Sequence, residues 1–127
     1  MDHQFQRHYT QAEARSLIPL VEKWLDELVA LRGEMTRRDE QMADLLALGQ
    51  DLGGPPVKDW LTTLAAIKQI LHEFQSREIQ IKDLERGLVD FPAFHEGREV
   101  YLCWERGEDD IEFWHELDSG YAGRERL

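Results

Sequence analysis

The chain is poor in cysteine, in cations and in long apolar runs, and each shortage excludes something. One cysteine, Cys103, rules out a disulfide framework within the chain and suits a reducing compartment. Lys and Arg together number 15 against 26 acidic residues, a formal charge of −11. Such a field repels phosphate backbones, so nucleic acid is not an expected partner. No segment approaches the roughly eighteen apolar residues that a membrane span requires, so no membrane partner is expected either. The N-terminal residues MDHQFQRHYTQAEAR lack the apolar core of a signal peptide, and a cytoplasmic location is the expectation. There is no HExxH pair, no CxxC spacing, no glycine-rich phosphate cradle and no internal repeat.

What is present argues for one folded domain spanning residues 1–127, since 42% of the residues are apolar and four are tryptophan. Thr10 and Glu13 have the spacing of a capping box. From there Ala14, Leu17, Ile18, Val21, Leu25, Leu28, Leu31, Met35, Met42, Leu45 and Leu46 keep a three-four rhythm, the stripe of a helix of about 38 residues and roughly 57 Å. Pro19 predicts a kink inside it. Gly49 to Pro56 reads as a linker, and Val57, Trp60, Leu61, Leu64, Ile67, Leu71 and Phe74 as a second, shorter helix ending near Arg77. Residues 10–77 are therefore expected to form a helical hairpin, and 78–127 a β-meander with a C-terminal loop. The fold class is α+β.

Turn residues divide the last third into four strands near 79–84, 88–94, 99–105 and 111–116. Glu85-Arg86-Gly87 reads as a three-residue loop and Glu96-Gly97 as a two-residue turn, which pairs Ile81 with Phe91 and Phe91 with Leu102. With an even third loop, Leu102 faces Phe113 or His115. One face then carries Ile79, Ile81, Val89, Phe91, Ala93, Val100, Leu102, Trp104, Ile111, Phe113 and His115, toward the helices. The reverse carries Lys82, Asp90, Tyr101, Cys103, Glu112, Trp114 and Glu116, with Tyr101 and Trp114 as an exposed patch suited to a partner.

The reactive residues crowd into this third of the chain. Asp90 lies between apolar neighbours, where an unpaired carboxylate is costly. It would be satisfied by Lys82 across the strand pair, or else act as a metal ligand or base beside Cys103. Cys103 reads as a small buried apolar group, and as a nucleophile only if an odd third loop brings His115 to its face. His115, Glu116 and Asp118 cluster in sequence, and an imidazole with carboxylates suits zinc, manganese or iron better than calcium. A helix carboxylate such as Glu13 is a further candidate ligand. Arg124 is placed to form a surface salt bridge or to grip an anion.

Ala12-Glu13-Ala14 with Leu17-Ile18-Pro19-Leu20, then KDLERGLVDFP, YLCW, GE and WHELDSGYAGR, resemble the bacterial domain-of-unknown-function family 2203 over essentially the whole chain. The resemblance implies no established activity and a relation to metal binding. Asp83, Asp90, Cys103, Trp104, Glu108, His115 and Arg124 match its motif positions. The leading expectation is a protein binding a divalent transition metal such as zinc through His115, Glu116 and Asp118. The alternative is a non-catalytic interaction module that forms a homodimer. Nothing in the sequence specifies an enzyme.

Overall fold

The computed structural model describes residues 2–49 and 54–127. The Thr10–Glu13 capping box forms, each side chain bonding the other's backbone N–H, and opens helix α1 (Gln11–Ala47). Pro19 is exposed, and the helix continues through it. The apolar stripe buries Ala14, Ile18, Val21, Trp24, Leu25 and Leu28, and no residue of α1 beyond Leu28 is fully buried. The expected linker falls largely on residues 50–53, which lie outside the described residues. Helix α2 (Pro55–Ser76) starts on two prolines, which is tolerated because first-turn N–H groups have no intrahelical partner. Trp24 meets Phe74 edge-on at 5.3 Å, Thr63 bonds Glu34, and Trp60 bonds Asp39. Contacts that rise in one helix as they fall in the other make the pair an antiparallel hairpin.

The sheet has five strands rather than four, in the order β1 (Gln80–Asp83), β2 (Leu88–His95), β3 (Arg98–Glu105), β4 (Phe113–Glu116), β5 (Glu125–Arg126), every pair antiparallel. The fifth was expected to be loop. Two charged residues carry no apolar period, and β5 is held through its ladder pairing with β4 and a bond from Leu127 N–H to the Glu112 carbonyl.

Of the expected registers, β2 with β3 is as read, with Phe91 opposite Leu102 and the Glu96–Gly97 turn at positive φ in both residues. Between β1 and β2 the exact pairing differs: Ile81 faces Val89, not Phe91, and Gln80 rather than Lys82 lies opposite Asp90. The loop is one residue longer than read, and a bulge between Ile81 and Asp83 adds a second shift. Two single-residue shifts preserve parity, so Ile81 stays on the helix side.

Between β3 and β4 parity is lost, and this corrects the predicted layout. Leu102 pairs with Trp114, Tyr101 with His115, and Cys103 with Phe113. Ile111 is fully buried but outside the ladder, its carbonyl bonded by the Gln11 amide while Arg15 grips Asp110 beside it. Ile111 and Trp114 therefore both enter the core although three positions apart. Phe113 and His115 turn to the reverse face.

That reverse face is covered too. Phe5 lies against Tyr101 at 5.6 Å, with the backbone N–H groups of Gln4 and Phe5 bonded to Glu99 and those of Gln6 and Arg7 to Glu78. Glu78 holds a left-handed backbone (φ 59) at the corner where α2 gives way to β1. Tyr101 and Trp114, expected as one exposed patch, are both buried and lie on opposite faces.

Gly87 is doubly constrained: its φ is +68, and a Cβ there would sit 2.7 Å from the Arg106 Cβ. Gly97 shares a positive φ but opens onto empty space. Urea denaturation should register a loss of about 2 kcal/mol or more for Gly87→Ala and about 1 kcal/mol for Gly97→Ala. Equal losses would contradict the contact with Arg106.

Candidate functional site

Strand alternation sends every second side chain of β2, β3 and β4 away from the helices, and on that side three reactive groups meet. Asp90 is the direct cross-strand partner of Cys103, and His115 reaches in from β4. Each offers a donor atom within 4.8 Å of the other two. Asp90 is 1% exposed, His115 2% and Cys103 0%.

The hydrogen bonds define the protonation. His115 Nδ1 lies 2.8 Å from the Glu116 carbonyl, which can only accept, so Nδ1 carries a proton. Nε2 lies 3.0 Å from Asp90 Oδ2. Burial by itself would push the His115 pKa down. The hydrogen bond to Asp90, the contacts with Cys103 and the Glu116 carbonyl, and the Asp90 charge outweigh it and raise the pKa to about 10. The raised pKa favours the imidazolium form of His115. Asp90 Oδ1 is buried without a hydrogen-bond partner.

Arg124 approaches from the C-terminal segment, Nη1 at 3.8 Å from Cys103 Sγ. Glu108 holds it with a contact of 2.7 Å to Nη2 and one of 3.3 Å to Nη1, and its guanidinium lies 3.9 Å from the Phe113 ring centre. Tyr101 sits between Phe5 and His115, with the Lys82 ammonium 4.8 Å from its ring centre. A cavity of about 210 Å³ opens on the cluster, lined by Lys82, Leu88, Asp90, Cys103, His115, Ser119, Gly120 and Tyr121.

The expected ligand set is therefore rearranged. His115 is in the cluster. Glu116 contributes only its carbonyl to it, because its carboxylate bonds Arg98 at 2.7 Å. Asp118 is exposed and outside the group, and Glu13 is spent on the helix cap. Asp90 and Cys103 are the two groups that meet His115. The Lys82–Asp90 ion pair does not form: the bulge shifts Lys82 out of register, and Asp90 turns to His115. Arg124 does form a salt bridge, in a half-buried position against the thiol rather than at the surface. Glu108 matched a motif position without a role, and Tyr121 was not singled out. The pair Ile111 and Trp114, bulky apolar residues at a spacing that alternation forbids, was the available sign of the odd loop.

Both imidazole nitrogens are engaged, Nδ1 by the Glu116 carbonyl and Nε2 by Asp90. The fold and the site together define an α+β domain whose sheet carries a buried carboxylate, thiol and imidazole on its reverse side. The chain belongs to the family described as Uncharacterized conserved protein (DUF2203), whose model matches residues 7–127. No curated protein and no solved structure matches the chain. The family description names no metal and no reaction, so the implied relation to metal binding has no support there. Among the described residues no helix is long and apolar enough to cross a membrane.

A histidine pKa raised on folding stabilises most below its unfolded value and loses that contribution as pH climbs through the folded value. The metal-free protein should become less stable to urea between about pH 6.5 and about 10. In His115→Gln that part of the slope should vanish; an unchanged slope would contradict the imidazolium–carboxylate pair.

Proposed function

We propose that the protein binds one divalent transition-metal ion of the zinc class through Asp90, Cys103 and His115. The observation that carries this reading is the convergence of three different donors, one of them a carboxylate whose other oxygen, Asp90 Oδ1, is buried with no partner among the described residues. An ion there would satisfy that oxygen and displace the proton between Nε2 and Asp90. The bond from His115 Nδ1 to the Glu116 carbonyl is the outer-shell contact that orients a ligating histidine. Carboxylate and thiolate together balance a divalent charge, which matters where none of the three side chains reaches solvent. Sulfur and nitrogen donors favour zinc, cobalt or iron over calcium or magnesium. Three protein ligands leave a fourth position, facing the cavity.

Elemental analysis of tag-free protein should find about one such metal per chain, with affinity falling more than tenfold in His115→Ala and in Cys103→Ser. Protein free of metal as purified, together with unchanged affinity in His115→Ala, would overturn the reading.

A second reading concerns the helices. Trp24, Ala30, Leu31, Ala66 and Ile70, together with Glu27, Gln69 and Glu73, line an open groove of about 660 Å³ along one side of the hairpin. Self-association through this side would cover them. Sedimentation should then report a dimer that Ala30→Glu returns to monomer; a monomer at every concentration would exclude it.

A further inference from the structure

The cavity beside the cluster carries a cation that the metal-binding reading leaves unused. Lys82 is the residue at the bulge between Ile81 and Asp83. Bulges next to functional sites re-aim side chains, and here the irregularity leaves Ile81 on the core side while Lys82 lines the cavity. The nearby carboxylates are already taken: Asp90 by His115, Glu105 by Arg86 and Glu108 by Arg124. Among the described residues Lys82 makes no ion pair, and its ammonium rests over the Tyr101 ring.

We propose that this cavity binds a small oxyanion, a carboxylate or a phosphate, with one oxygen on the metal and another on the Lys82 ammonium. The inference rests on the metal site proposed above. A divalent ion held by Asp90 and Cys103 forms a neutral unit, and Lys82, exposed at the rim of the cavity and without an ion pair among the described residues, is the cation that an entering anion would meet. Arg124 adds no free charge, being neutralised by Glu108. The volume of about 210 Å³, below the range of sites that enclose drug-sized ligands, matches an anionic group of a few heavy atoms. Leu88 and the Tyr121 ring supply an apolar wall for a short carbon stem, and the Ser119 hydroxyl lies at the same rim.

Cobalt-substituted protein provides the test, because its spectrum reads the metal and the ligand separately. A thiolate-to-cobalt charge-transfer band reports Cys103 on the metal. Titration with acetate and with inorganic phosphate, at constant ionic strength, should shift the d–d bands saturably while the charge-transfer band persists; neutral acetamide should not. Response to acetate alone points to a carboxylate and response to phosphate alone to a phosphoryl group, and either supports the proposal. Lys82→Gln should weaken anion binding about tenfold or more, with Lys82→Arg restoring most of it. A charge-transfer band present but d–d bands indifferent to every anion, or a titration unchanged in Lys82→Gln, would overturn the oxyanion proposal alone. Absence of the charge-transfer band would overturn the metal reading beneath it.

Discussion

A carboxylate removed from water must find a counter-charge or give up its own, and the bond between Asp90 and His115 meets that demand. It joins the second strand to the fourth across the third, so it forms only if the last hairpin has an odd register. With the opposite parity, His115 would enter the apolar layer beneath the helices and Asp90 would be stranded on the reverse face. The Ile111 anchorage to Gln11 and the gripping of Asp110 by Arg15 hold that hairpin in place from the start of the first helix. The long helix thereby positions the site without contributing a ligand to it.

The sheet separates two interiors. Its helix side is an ordinary apolar core in which Phe91, Leu102, Trp104 and Trp114 meet the first half of α1 and the end of α2. Its reverse side is a thin second layer, closed by the N-terminal segment through Phe5 and by the C-terminal segment through Tyr121 and Arg124. A polar cluster lying between two coverings is removed from bulk water, which strengthens each of its electrostatic contacts and raises the penalty for any group left unpaired. Among the described residues Asp90 Oδ1 is such a group.

Much of the architecture was legible from periodicity. The capping box at Thr10, the helix stripe down to Leu28, and the turn at Glu96–Gly97 follow from local rules that tertiary contacts did not override. Register failed where loops had irregular length. At the first hairpin two errors cancelled, because a longer loop and a bulge together preserve parity. At the third a register one residue from that expected reversed the face of every side chain from Phe113 onward, taking His115 to Asp90 and Trp114 into the core. The cluster was thus visible as components, with Asp90 and Cys103 rightly placed together, while its third member depended on a loop whose length no alternation pattern encodes. Arg124 was expected at the surface because nothing in the sequence signals that Glu108 and Phe113 would draw it inward. Glu116 and Asp118 were attractive as ligands by proximity in sequence, but neighbours on a strand point to opposite faces, and only the carbonyl of Glu116 reaches His115.

The central claim is that Asp90, Cys103 and His115 share one ion. X-ray absorption at the zinc edge of the zinc-loaded protein tests it most directly, since sulfur and lighter ligands scatter at separable distances. One sulfur at about 2.3 Å with nitrogen and oxygen neighbours near 2.0 Å is the shell that these three residues would supply. A shell of oxygen and nitrogen with no sulfur, or one built from several sulfurs and no imidazole, would contradict it.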